Sequence, residues 1–156
     1  MKKGIFTGVV FFIAILTACN NDVVLQKIKN FDNNEWAFTS PFKTNFALKD
    51  KARKYDIYFL ISHSQDYPFQ NIYLRITDDF SGKTHTDTVS IQLMNKNGYW
   101  KGEKKHGFFR YEVPLHKNFS FAENKDSFHI KIEQFTRQDT LKGVKNTGIV
   151  IKEIKK

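Results

Sequence analysis

The sequence predicts an all-β domain, an antiparallel β-sandwich of seven or eight strands, with a closed barrel as the alternative. Three observations carry this expectation. Apolar and polar residues alternate in run after run, which is the period of a strand. Clusters of Asp, Asn, Gly and Pro separate the runs, and these residues favour turns. No stretch sustains the 3.6-residue period of a helix, while 16 Phe residues against 3 Pro supply an aromatic core.

The N-terminus comes first. Lys2 and Lys3 are followed by the apolar run Ile5–Leu16, which is too short for an ordinary transmembrane helix. Leu16-Thr17-Ala18-Cys19 then matches the lipobox of a bacterial lipoprotein, an aliphatic residue, two small residues and a cysteine. Small residues let the backbone enter the signal peptidase cleft, and the cysteine sulfur takes the diacylglycerol. Residues 1–18 are therefore expected to be a signal peptide, and residues 19–156 one mature domain anchored through lipidated Cys19. Two or three acyl chains, palmitate among them, hold a protein stably where one does not. Asn20 follows the cysteine where an acidic residue would favour inner-membrane retention. The outer membrane, on its periplasmic face, is the expected location.

The strands follow in order. Val23–Ile28 reads as an early strand, and residues 29–45, with Trp36 and Pro41, as a long connection. Phe46–Leu48 is a further short candidate. Tyr55–Ser62 carries Tyr55, Ile57, Phe59 and Ile61 on one face and Tyr58 and Leu60 on the other, as a central strand does. Asn71–Thr77 points Ile72, Leu74 and Ile76 one way, and Thr88–Met94 does the same with Val89, Ile91 and Leu93. Phe109, Tyr111, Val113 and Leu115 alternate, then Phe128, Ile130 and Ile132, and finally Ile149 and Ile151. Turns are expected at residues 66–68, 78–82, 95–98 and 123–126.

The formal charge of +9 includes Lys2 and Lys3, leaving +7 for the mature part. An exported basic domain meets acidic protein surfaces, acidic glycans or lipid headgroups rather than nucleic acid. Cys19 is the single cysteine, so no internal disulfide is available. The five histidines show no HxH or HxxxH spacing, and neither a nucleophile elbow nor a phosphate loop is present. No catalytic residue, metal site or cofactor is expected. Asp78-Asp79 beside Ser81-Gly82 reads as a capped turn.

Two stretches stand out as binding candidates. Gln134 continues the inward series of its strand, so its amide needs buried partners. Arg137 and Asp139 are placed to pair across the turn that follows, and Gly143 to supply a positive φ. Tyr99 and Trp100 lie between Gly98 and Gly102, where one is expected to be buried and an exposed pair would form a stacking platform.

These residues together resemble the GldH-type gliding-motility lipoprotein family of the Bacteroidota, from about Val23 to Ile154. The resemblance runs through the lipobox, Trp36, Tyr67-Pro68-Phe69-Gln70-Asn71-Ile72-Tyr73-Leu74, Asp87-Thr88, and Gly98-Tyr99-Trp100-Lys101-Gly102. Its most specific part is Ile132-Glu133-Gln134, Arg137, Asp139, Leu141, Gly143-Val144 and then Gly148-Ile149. The chain departs from the family pattern at Thr136, where Met is usual, at Ser62, where Arg is frequent, and at Asn124-Lys125-Asp126, where a Gly is frequent. The resemblance implies a non-enzymatic envelope lipoprotein of gliding motility and the linked type IX secretion machinery, with other envelope proteins as partners. The Gln134–Gly143 corner and Tyr67–Asn71 are the expected contact region, and Tyr67, Asn71, Trp100, Gln134, Arg137 and Asp139 are the candidate partner-binding residues. The alternative is a β-sandwich lipoprotein that binds glycan or peptidoglycan through Tyr99, Trp100 and its basic surface. A glycan hydrolase would need two carboxylates about 5–9.5 Å apart across a cleft, and no pair in the sequence stands out.

Overall fold

The computed structural model describes residues 22–155. The expected signal peptide, residues 1–18, and Cys19 lie outside the described residues.

The described chain is all-β and antiparallel, as its alternation predicts. Eleven strands run in order: β1 (Val23–Asn30), β2 (Glu35–Ala37), β3 (Phe42–Phe46), β4 (Tyr55–Ser64), β5 (Asn71–Asp78), β6 (His85–Gln92), β7 (Glu103–Lys105), β8 (Phe108–Phe119), β9 (Phe128–Gln134), β10 (Thr140–Lys142) and β11 (Val144–Glu153). One sheet has the order β1-β11-β4-β8-β7, the facing sheet β3-β9-β5-β6, and β10 pairs with β2 apart from both. The sheets stay separate, so the arrangement is a sandwich and not a closed barrel.

Every expected strand but one forms. The additional ones are those too short to show alternation: β2, β7 and β10 have three residues each. Residues 29–45 are not a long connection. They hold a 3-10 turn at Asp32–Asn34, then β2 and most of β3. The candidate strand at Phe46–Leu48 is displaced, because β3 ends at Phe46. Long-range partners order this stretch: Trp36 is fully buried, stacks on Phe31 with centroids 5.2 Å apart, and pairs with Leu141.

The core lies between the two large sheets. Ile57, Phe59 and Ile61 of β4 and Ile149 and Ile151 of β11 meet Ile72, Leu74 and Ile76 of β5 and Ile130 and Ile132 of β9. Central β4 is also covered on its outer side, where Leu60 and Val150 are buried. There the Tyr58 ring sits between Lys117 and Lys152, whose Nζ atoms lie 4.6 and 4.5 Å from its centroid. Gly148 is required where β1 crosses, since a Cβ there would meet the Lys27 carbonyl oxygen at 2.0 Å.

Register defines two ends. At one, Val23 pairs with Lys152 and Tyr55 with Glu153, and Tyr55 packs on Phe121, which packs on Phe128. At the other, Asn30 pairs with Asn146 and Asn146 with Ser62, while Leu74 pairs with Gln134 and Asn71 with Gln92. The chain enters at the first end. The ten residues of β4 put the second about 30 Å away.

Candidate partner-binding groove

At the end far from Val23, the outer face of the four-stranded sheet carries a groove of about 580 Å³ with mostly apolar walls. Strand alternation explains which side chains reach it. On β5, Ile72 and Leu74 turn into the core, so Asn71 and Tyr73 turn outward, and Tyr73 is 48% exposed. Gln134 is the last inward residue of β9, so Phe135 turns outward, and it too is largely exposed. Phe69 closes one side from the loop before β5, and Thr88 of β6 with residues 136–138 completes the rim.

The walls are held from beneath. Tyr67 is buried and its hydroxyl donates to the Asn71 carbonyl oxygen at 3.2 Å, tying the loop to the start of β5. Burial raises the pKa of that hydroxyl, so it stays a donor. The Phe69 ring sits edge-on to Tyr67 with centroids 5.9 Å apart. On the opposite wall, the fully buried Gln134 amide donates to the Gln138 carbonyl oxygen at 2.8 Å. Its own oxygen accepts from the Thr136 N–H at 3.1 Å and the Thr136 hydroxyl at 2.6 Å. A buried amide with its donor and its acceptor both used fixes the turn that follows it. Gly143, at φ 82°, donates no side chain because the Ser64 hydroxyl would lie 2.8 Å from a Cβ, and its carbonyl oxygen accepts the Ser64 N–H at 2.7 Å.

Arg75 sits beside the groove. Its guanidinium is 3.0 Å from the Glu133 carboxylate and 5.1 Å from the Phe135 centroid, so it braces that ring. The Arg75 bond holds Glu133 below the usual carboxylate range; burial opposes this, and Lys131 at 2.9 Å assists.

The sequence candidates separate into three groups. Asn71 and Arg137 line the groove. Tyr67 and Gln134 lie under it, buried, and shape it without presenting a surface. Asp139 is exposed outside it. The expected Arg137–Asp139 pair does not form: among the described residues neither is in an ion pair. The physical reason is Gln134, which organises the turn through the Gln138 carbonyl and Thr136 and leaves both charged side chains in water.

Trp100 is half-buried, with Tyr99 exposed at 69%, so one of the two is covered as expected. Trp100 packs edge-on to His63 with centroids 4.6 Å apart, and Phe109 and Tyr67 complete the cluster. His63 is fully buried. Its Nδ1 lies 2.9 Å from the Ser64 carbonyl oxygen, and its Nε2 has no hydrogen-bond partner. Burial lowers its pKa, partly offset by the Ser64 contact, so the ring is kept neutral. Asp78 and Asp79 cap their turn, accepting the Phe80 N–H at 3.2 Å and the His129 N–H at 2.7 Å. Among the described residues no three His, Cys, Asp or Glu side chains gather as around a metal ion.

Of the three rings, sequence reasoning missed Tyr73, while Phe69 and Phe135 fall inside the expected contact stretches 67–71 and 134–143 without being singled out. The signal for two of them was present: Tyr73 and Phe135 occupy outward positions of otherwise alternating strands, where an aromatic ring gains no burial.

The family model described as GldH lipoprotein matches residues 23–151. The gliding motility lipoprotein GldH of Flavobacterium johnsoniae is 22% identical over 94% of this chain and 96% of its own length. The gliding motility lipoprotein GldH homolog of Christiangramia forsetii is 24% identical over 92% of each chain. Among solved structures, 85% of the chain overlays 32% of a chain in the structure of infectious bursal disease virus Gx strain, at 13% identity and a TM-score of 0.27, a likeness too slight to bear on fold or function.

Proposed function

Because this chain belongs to the GldH lipoprotein family, we propose that it is a lipid-anchored, non-catalytic component of the gliding machinery and of the type IX secretion apparatus linked to it, working by contact with other envelope proteins. The curated relatives, named as gliding motility lipoproteins and matched over nearly their whole length, support the motility half of this reading. The observation that carries the contact half is the groove itself. Phe69, Tyr73 and Phe135 leave apolar rings in water on a face that the fold could have kept polar. Such a patch on a small domain marks an interaction site, and aromatic rings in a rigid frame make good anchors for a partner.

In this reading Cys19 carries the acyl chains and holds the domain at the periplasmic face of the outer membrane. The anchor confines the protein to a thin layer beside other membrane components, so contacts that are weak one by one suffice. A glycan-binding role built on Tyr99 and Trp100 has less support, since Trp100 is half-buried against His63 and the two do not form an exposed pair.

Depletion in the native host, with return of wild type or of Cys19→Ala, tests this reading. Colony spreading and release of type IX cargo are the readouts. Loss of both, restored by wild type and poorly by Cys19→Ala, is the expected result. Normal spreading and secretion after depletion overturn it.

A further inference from the structure

The groove lies in the more basic half of the molecule, and that sets the chemistry of what it takes. Residues 29–41, 65–70, 95–110 and 135–145 surround the groove end and hold nine lysines and arginines against five acids. Of those nine, Arg110 alone is in an ion pair among the described residues, with Glu112 at 3.3 Å. Four others lie over aromatic rings: Lys29 over Phe31, Lys101 over Tyr111, Lys104 over Phe109 and Lys145 over Phe108, at 5.8, 5.9, 5.4 and 4.5 Å. The groove walls repeat the pattern, with Arg137 their single charged side chain and no carboxylate. At the entry end the segments 47–56, 79–84, 117–127 and 152–155, with Asp22, hold nine cations against seven acids. Opposite partners there are close: Lys117–Asp56 at 2.6 Å, Lys125–Asp79 at 2.5 Å and Lys155–Asp22 at 2.7 Å.

We propose that the groove binds an acidic polypeptide segment of a partner protein, seating an aromatic or aliphatic side chain between Tyr73, Phe69 and Phe135 and a carboxylate on Arg137. This rests on the contact reading above and names the partner's chemistry. The surplus cations around the groove steer an anionic segment to it, and the rings hold its apolar side chain. A glycan fits less well, since sugars need a dense set of hydrogen-bonding groups and these walls are mostly carbon. The chain's own anchor does not reach. In the proposed mature chain three residues, Cys19 to Asn21, precede the described ones. They span at most about 11 Å, against the length of β4 between the two ends.

Selection from a displayed library of random nine-residue peptides on the full lipidated chain in detergent tests this. Tyr73→Ala with Phe135→Ala, and separately Arg137→Glu, serve as the controls. Both sets are surface changes, and a thermal melt checks that each variant stays folded. The expected winners carry an aromatic or large aliphatic residue within two or three positions of Asp or Glu. They should bind wild type at least roughly tenfold more tightly than either variant, and weaken as salt rises. An oligouronate and phosphatidylglycerol vesicles, tried in the same assay, should show no dependence on Tyr73 and Phe135. Winners without an acidic bias, no groove-dependent enrichment, or groove-dependent binding of uronate or vesicles overturn the proposal. Loss of spreading in the Tyr73→Ala, Phe135→Ala strain alongside such a result would sink the acidic-peptide assignment while leaving the contact reading intact. Normal motility after depletion would sink that reading itself.

Discussion

Where the chain enters the sandwich, phenylalanine packs on phenylalanine. Phe121 lies 4.7 Å from Phe128 and 5.2 Å from Phe119, and Phe80 is 5.1 Å from Phe121. Lys51, Arg53, Lys117 and Lys125 at that end have close partners of opposite sign. At the far end His63, Tyr67 and Trp100 cluster and Trp36 stacks on Phe31, so four of the rings there each have a polar atom to be placed. Trp36 donates to the Ser40 carbonyl oxygen at 3.1 Å and Tyr67 to that of Asn71, while one nitrogen of His63 is left without a partner. Above this cluster Phe69, Tyr73 and Phe135 stay in water. Closed and largely ion-paired at one end, open and more basic at the other, the domain separates its tightest aromatic packing from the face proposed above to meet a partner.

The largest effect expected from this contrast is at the closed end. Phe128 is fully buried among Phe46, Phe80 and Phe121, so Phe128→Ala leaves a cavity and should cost about 3–5 kcal/mol of unfolding free energy. Urea unfolding measures it. A cost below about 1 kcal/mol would mean that this plug is not what stabilises the domain.

Acid should find the open end first. Burial holds the His63 imidazole below its usual range. The unfolded chain therefore takes up that proton more readily, and acidification below about pH 6.5 draws the protein toward unfolding. This contribution is whole above that pH and is lost as the pH falls toward the lowered folded-state value. His63→Leu should flatten the urea midpoint between about pH 7.5 and 5.5, each a unit from that reference. At the closed end, burial works against ionisation of Asp56 and Asp79. Lys117 and the Asn118 N–H at the first, and the His129 N–H and Lys125 at the second, outweigh it and hold both low. Their contribution stays whole until below about pH 4. Parallel profiles for wild type and His63→Leu would remove the distinction between the ends.

The smallest effect on stability is expected at the groove rim. Arg137 and Asp139 are exposed and unpaired with each other, so Arg137→Ala with Asp139→Ala should move the unfolding free energy by no more than about 0.5 kcal/mol. The same variant should impair colony spreading. A large drop in melting temperature with spreading intact would make this corner structural and return the comparison to packing alone.

Much of the fold is legible from residue order because a strand's period is short and local. Ile57, Phe59 and Ile61, or Phe128, Ile130 and Ile132, announce both strand and inward face. The burial of Gln134 follows from the same counting. The short strands are not legible, since three residues such as Glu35-Trp36-Ala37 cannot display a period. Their pairing depends on Leu141, more than a hundred positions away.

The site was legible by half. Asn71 and Arg137 could be singled out, and they share one groove. Tyr67 in a turn gave no sign that it would be buried, because turn residues belong to neither face until the loop folds over. The Arg137–Asp139 pairing was drawn from spacing alone, and a buried amide between them in the chain claims the turn first.

Taken by itself, then, the residue order determines the all-β class, the inward series of each long strand and the capped turns, and it carries the lipobox pattern at Leu16–Cys19 on which the proposed anchor rests. These depend on neighbours within a few positions. Only the tertiary structure decides that Phe69, Tyr73 and Phe135 stand together in water while Trp36, Tyr67 and Trp100 are drawn inward. Alternation assigns a ring to a face of its sheet, but whether that face is covered depends on which sheet or loop packs against it.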